Sequence, residues 1–223
     1  PIPAFGTVGA AIGTVASAAI VSIYAFTKLF DGSWVVQFQR GMNRRPDYTI
    51  IRQLFKFGLP TGLQGVAMNL GGVFLLGFVG SLAMSAQAQA AYTVGYNQIF
   101  SFITWTSIGI MGATAAVSGQ NLGAGNPERT AQAVNVAAGF GLLLALVIGS
   151  LFLLIPNLLL GVFSIEEPGV LELGVELLRY LAVSGLFITV ALAFTGGLQG
   201  TGDTKSPLYI SIVSQVFLPL GLC

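Results

Sequence analysis

The chain has 223 residues, of which 54% are hydrophobic and only 8% charged, and its formal net charge is +1. A soluble domain carries roughly 25% charged residues, so this chain lacks the polar surface to face water on all sides, and its near-neutral charge leaves no electrostatic footprint for nucleic acid. With no histidine and a single Cys223, an intrachain disulfide and the common multi-cysteine or histidine metal sites are excluded.

What remains is an all-α, polytopic membrane bundle. A mean hydropathy of +0.84 supports it, as do 30 glycines, which membrane helices tolerate where they cross closely. No signal peptide is visible. A start at Pro1 and an end at Cys223 inside an apolar run lead to the expectation of a piece of a longer protein. A crossing helix needs about 20 apolar residues. Six runs meet that need: 5–29, 57–80, 86–118, 130–155, 170–199 and 207 to the end, the last cut short.

The first run leads into the only long connection, 31–56, where Arg40, Arg44, Arg45, Arg52 and Lys56 follow Lys28. Its second half puts Ile51, Leu54 and Phe55 on one face and Arg52, Gln53 and Lys56 on the other. That is the pattern of an amphipathic helix lying in the membrane interface. The connection reads either as a linker between two lobes or as an ordinary loop with a lipid-contacting end. The second run carries Gln64 and Asn69, and residues 81–85 separate it from the third.

The third run holds the chain's main concentration of uncharged polarity. At about 100° per residue, Gln89, Thr93, Tyr96, Asn97, Ser101, Thr104 and Ser107 fall within a sector of roughly 140°. Ile99, Phe102, Ile103 and Ile110 lie largely outside it. Unpaired polar groups facing lipid are costly, so this face should look at protein or at a water-filled cavity. Gln64 and Asn69, with Tyr180, Ser184 and Thr189 of the fifth run, are candidates to line the same space. Interhelical hydrogen bonding is the alternative for any single residue; for the stripe as a whole a substrate cavity is expected.

The third run ends in Ser118-Gly-Gln-Asn-Leu-Gly-Ala-Gly-Asn-Pro-Glu-Arg-Thr130, and a related segment follows the fifth run, Gly197-Leu-Gln-Gly-Thr-Gly-Asp-Thr-Lys-Ser-Pro207. Both read as tight reversals between long helices, with Gly supplying unusual dihedrals and Pro restarting the next helix. Arg129 and Lys205 sit at these reversals, on the side of the basic first connection, whereas 81–85 and 156–169 carry no Lys or Arg and contain Glu166 and Glu167. The positive-inside rule makes the basic connections cytoplasmic. Glu172, Glu176 and Arg179 open the fifth run. Acids suit a helix start, and Glu176/Arg179 have pairing distance at i, i+3, so a solvated helix entrance is expected. The pairs Gly9/Gly13, Gly58/Gly62 and Gly196/Gly200 read as close helix packing. No nucleotide loop, catalytic triad, metal cluster or paired intramembrane carboxylate is found, so neither an enzyme nor a cofactor is expected.

At these residues the chain resembles the multidrug and toxic compound extrusion (MATE) family of transporters. The resemblance rests on Phe57-Gly-Leu-Pro-Thr-Gly-Leu-Gln64, Ala90-Ala-Tyr92, the reversal from Gly119 to Thr130, and Leu198-Gln-Gly-Thr-Gly-Asp-Thr-Lys205, in the family's order and spacing. It implies a two-lobed, twelve-helix transporter of a bacterial inner membrane, exporting amphipathic, often cationic compounds by alternating access driven by Na⁺ or H⁺. Residues 1–30 would be the last helix of the first lobe, 31–56 the cytoplasmic linker, and 57–223 an incomplete second lobe. Its partners would be the bilayer, the missing first lobe and small amphipathic substrates. Some members carry acids at positions that correspond to Met68/Asn69 and Ile188/Thr189, so the coupling carboxylate is expected in the missing first lobe. A lipid-linked saccharide flippase of the same superfamily is the alternative, although no Lys or Arg lies deep in a run. A non-transporting scaffold would require an apolar, sealed third run.

Overall fold

The computed structural model describes residues 6–33, 45–82, 84–165 and 167–222, and these are overwhelmingly helical. Arg40, Arg44, Glu166 and Cys223, together with residues 34–44 of the long connection, lie outside the described residues. The chain divides into two compact units, 1–49 and 50–223.

In the first unit, helix α1 (Gly6–Asp31) places Lys28 in its last turn, where a cation meets the negative helix end. Gly32, at φ 70°, then ends it in the left-handed conformation. Ser17 and Thr27 donate to the carbonyls of Thr14 and Tyr24 one turn back, which satisfies their hydroxyls without a neighbouring helix.

Helix α2 (Tyr48–Gly80) begins where the Asp47 carboxylate accepts the Thr49 N–H at 2.8 Å, an N-cap bond. It then runs unbroken to Gly80. The amphipathic stretch 48–57 is therefore the first part of a long helix and not a separate one lying in the interface. The reason is that nothing before Gly80 is a sufficient breaker. Pro60 removes one backbone bond, but a helix in lipid cannot release the others without leaving polar groups unsatisfied. Thr61 Oγ1 also donates to the Phe57 carbonyl at 3.1 Å in the same turn.

The third run forms a single element, Ser85–Gly123. Within it, α3 (Ser85–Tyr92) and α4 (Ser101–Gly123) are joined by a π-helical turn at Thr93–Ile99. The Phe100 N–H donates to the Gly95 carbonyl at 2.9 Å, five residues back. Helix α5 (Pro127–Leu154), short α6 (Pro156–Gly161) and α7 (Pro168–Gly200) follow, each with Pro in its first turn. The sixth run is α8 (Lys205–Ile212), a π turn at Val213–Phe217 and α9 (Leu218–Leu222). Among the described residues, five helices are long and apolar enough to cross a membrane, and the sixth run is not one of them. Lys205, Ser206, Ser211, Ser214 and Gln215 dilute its apolar character.

The two predicted reversals have one geometry. Asn126 N–H donates to the Asn121 carbonyl and Asp203 N–H to that of Leu198, each at 2.9 Å, while Gly125 and Gly202 donate three residues back to Leu122 and Gln199. Both glycines have positive φ, 76° and 91°. This is the Schellman arrangement, in which glycine takes the left-handed cap and the last carbonyls find donors. In the second reversal the Asp203 carboxylate also accepts from Ser206 N and Oγ at 3.0 and 2.6 Å.

Helix α7 is the centre of the second unit. Leu178, Leu181 and Ala182 meet Ile99, Phe100, Ile103, Phe152 and Leu160 in the buried core. Lower down, a Cβ on Gly196 or Gly200 would collide with the carbonyls of Met111 and Ala115, and one on Gly119 would lie 2.9 Å from the Gly200 carbonyl. Backbone therefore packs on backbone, which small residues make possible in a bilayer. Of the pairs read as packing motifs, Gly196/Gly200 meets a neighbour this way and Gly58/Gly62 does not. No described atom lies within 4 Å of a Cβ placed on Gly13, Gly58 or Gly62.

Two outcomes follow from this packing and capping. Gly200→Ala should cost about 1–3 kcal/mol by overpacking, read as a lower melting temperature of the full-length protein in detergent, while Gly62→Ala leaves it unchanged. The Asp203 carboxyl is held below its ordinary value by the Ser206 hydroxyl first and by the Ser206 N–H next. Its stabilisation is present above the ordinary carboxylate pKa and is lost as pH falls through the lowered value. Protection factors of the amides at residues 200–206, with the intrinsic pH dependence of exchange removed, should therefore fall on acidification, and Ser206→Ala should move that fall to higher pH.

Candidate functional site

The polar groups predicted to share one face separate into two sets. Ser107 and Thr189 are each 1% exposed, and their hydroxyls lie 2.7 Å apart between α4 and α7. Ser107 also donates to the Ile103 carbonyl at 2.6 Å and Thr189 to that of Gly185 at 2.8 Å. Two hydroxyl protons serve three contacts, so only two of the bonds form at once. The Thr189 methyl fills the space beside Gly141 of α5, where a Cβ would come within 2.6 Å of Cγ2. Thr189 thus sits where α4, α5 and α7 meet, sealed from open space.

Gln64 is closed off in the same way. Buried on α2 at 6% exposure, it donates through Nε2 to Ser211 Oγ at 2.8 Å and accepts from Gln199 Nε2 at 3.1 Å. This chain of three side chains ties α2, α7 and α8 together. Nearby, Gly71 of α2 lies directly against the Gln215 carbonyl of the second π turn. Gln199 and Ser211 were not singled out in the sequence; their flanking position around the second reversal was the available signal.

The open set consists of Gln89, Thr93 and Asn97, all exposed, with Tyr96 half-buried beside them. Ser101 and Thr104 are half-buried and bond their own helix, Ser101 to the Gln98 carbonyl and Thr104 to that of Ser101. Asn69 is exposed and donates to the Gly65 carbonyl at 2.8 Å, and Tyr180 and Ser184 are exposed on α7. The π turn explains the division. One extra residue in a turn sets every later side chain back by about 100° relative to a regular helix. Ser107 is thereby carried round to α7, while Gln89, Thr93 and Asn97, at or before the turn, stay on the uncovered side. A uniform 100° step cannot anticipate this.

Two further contacts frame the end of the unit where α3 and α7 begin. Gln87 Nε2 donates to Glu167 Oε1 at 3.2 Å, linking the starts of α3 and α7. Tyr92 and Tyr96 stack with ring centroids 5.0 Å apart and planes 8° from parallel, and Tyr96 meets Phe100 at 5.5 Å. Tyr92 was absent from the predicted set, although the recurrence of aromatic rings at 92, 96 and 100 was visible. Glu172, Glu176 and Arg179 are all exposed. Exposed pairs of this type contribute little, in keeping with a solvated helix entrance.

Comparison with known proteins bears on what this arrangement serves. A family model described as MatE matches residues 60–223. The chain is 24% identical over 212 residues to "Probable multidrug resistance protein NorM" of Thermotoga maritima, covering 95% of this chain and 44% of that protein. It is 29% identical to the protein of the same name from Brucella suis, covering 97% and 47%. Over 171 residues it is 32% identical to "Probable multidrug resistance protein YoeA" of Bacillus subtilis, covering 75% and 36%. The chain thus spans about half the length of the curated relatives it matches, or less. Two crystal structures of MATE, one a mutant and one in the straight conformation, share its fold with TM-scores of 0.86 and 0.85 at 22% identity. Each match covers 97% of this chain and 48% of the other.

The two closed contacts should differ in cost. Gln64→Leu leaves the half-buried Gln199 amide without its acceptor and the buried Ser211 hydroxyl without its donor, at about 1–3 kcal/mol. Thr189→Val leaves Ser107 bonded to Ile103 and should cost about 1 kcal/mol or less. Melting temperatures of the full-length variants should fall in that order; the reverse order would contradict the assignment of Gln64 as the tie between three helices.

Proposed function

The chain belongs to the MatE family, and we propose that it forms the second lobe of an integral membrane exporter of amphipathic, cationic small molecules. The observation that carries this reading is the exposed, uncharged polar face of Gln89, Thr93 and Asn97 on a helix otherwise built for lipid. The side chains of Thr93 and Asn97 form no hydrogen bond with a described residue. Such groups are too costly to turn towards hydrocarbon, so they face a water-filled space between this lobe and the rest of the protein. Hydroxyls and amides without a fixed charge suit a site that binds varied cations weakly enough to release them.

In this reading residues 1–30 close the first lobe and 31–56 link the lobes on the cytoplasmic side of a bacterial inner membrane. The basic side chains Lys28, Arg45, Arg52, Lys56, Arg129 and Lys205 mark that side. Rocking of the lobes would open the space alternately to either side, driven by inward Na⁺ or H⁺. The position of Thr189, uncharged and hydrogen-bonded within the helix crossing, supports a coupling carboxylate in the first lobe. The names of the relatives, each a probable multidrug resistance protein, support drug export.

Thr93→Leu and Asn97→Leu should each weaken export of a cationic substrate by about fivefold, the worth of one hydrogen bond of roughly 1 kcal/mol, with unchanged expression. Neutralising the intramembrane acids of the first lobe should abolish export. Resistance and efflux unaltered by both Leu variants would make this face structural. Export surviving in a first lobe free of intramembrane acids would overturn the coupling assignment.

A further inference from the structure

The rings of Tyr92, Tyr96 and Phe100 recur every fourth residue through the π turn and form a column. Phe100 is 1% exposed at its buried end, and Tyr96 and Tyr92 are half-buried towards its open end. The next rung, four residues before Tyr92, is Ala88, whose methyl leaves the outer side of the Tyr92 ring uncovered. A groove of about 150 Å³ occupies that place, walled by Val79 and Leu82 on one side and by Leu173 and Leu177 of α7 on the other. Leu177 can lean in because its Cδ2 passes over Gly95, where a Cβ would come within 2.9 Å.

Three properties of the groove decide what it suits. Its size is that of a cavity known to take one benzene ring, about 150 Å³. Its walls are apolar, and its floor is an aromatic face to which a second ring stacks favourably. The exposed Gln89 and Thr93 border Tyr92 along the helix, and the exposed acids Glu172 and Glu176, each next to a wall leucine on α7, outnumber the exposed Arg179 that follows them, so the net charge near the groove favours a cation.

We propose that this groove is a subsite for the aromatic ring of a cationic ligand, which would stack on Tyr92 as the missing rung above Ala88. The proposal rests on the export reading for its biological role, but the stacking subsite is a statement about binding alone. Tyr92 and Ala88 would then set preference for aromatic over purely aliphatic cations.

The test uses the full-length protein in lipid nanodiscs, with ethidium as the aromatic cation and tetraethylammonium as the aliphatic one. Ala88→Phe fills the rung with the protein's own ring, and Tyr92→Leu removes the stacking face. Each should weaken ethidium binding, measured by fluorescence anisotropy, by about three- to tenfold. Ala88→Ser and Tyr92→Phe, which keep the rung open and the ring in place, should bind like the parent protein, and tetraethylammonium efflux should change less than twofold in all four. Parent protein that does not bind ethidium, equal ethidium affinity across the variants, or a matching loss of tetraethylammonium efflux would each overturn the proposal. The expected binding pattern in a protein that exports neither cation would uphold the subsite and contradict the transport reading.

Discussion

The contact on which the second unit depends is the crossing of α4 and α7 at Gly196, Gly200 and Gly119, where backbone meets backbone. In a bilayer, apolar side chains gain little by leaving lipid for one another, so close van der Waals contact and satisfied polar groups must hold helices together. Once the two backbones touch at this end, the elements above it follow. Ser107 meets Thr189 along the same crossing, and Gly141 admits the Thr189 methyl so that α5 can close on both helices. Further along, Ile103 and Phe100 reach the α7 core at Leu178, Leu181 and Ala182. The Gln64–Ser211–Gln199 chain then fastens α2 and α8 to the end of α7.

The π turn at Thr93–Ile99 is what allows one helix to serve two purposes. A regular α-helix from Ser85 to Gly123 would keep all its polar residues within one sector, to be either buried or exposed together. The inserted residue sends Ser107 into the crossing and leaves Gln89, Thr93 and Asn97 uncovered. The same turn carries the Tyr92–Tyr96 stack and gives Leu177 room over Gly95. Buried core contacts and an uncovered polar face thus lie within about two helical turns of each other.

Much of this was legible in the sequence. Composition gave the class, long apolar runs gave the spans, and the glycine and proline spacing at 118–130 and 197–207 gave two reversals with matching cap bonds. The resemblance to MATE transporters was readable from motifs, which the family match over residues 60–223 bears out. What escaped was geometry that depends on partners. A continuous α2 through Pro60 follows from the demand of lipid for unbroken backbone bonding, which local amphipathicity does not report. Burial of Gln64 and Thr189 depends on where α7 and α8 arrive, and glutamine or threonine looks the same in sequence whether it lines water or pins a crossing. A π turn has no composition of its own, so the helical wheel drawn from residue 89 to 107 was out of phase in its second half.

The central claim is that Thr93 and Asn97 face water at membrane depth. It is tested most directly by single cysteines at 93, 97 and, as a reference on the exposed, wholly apolar face of α5 formed with Val136, Phe140 and Val147, at Leu143, in a cysteine-free full-length protein in native membranes. The account predicts that a membrane-impermeant methanethiosulfonate reagent modifies 93 and 97, that a transported cation slows this, and that 143 stays unreactive. Cysteines at 93 and 97 as inert as the one at 143 would contradict it.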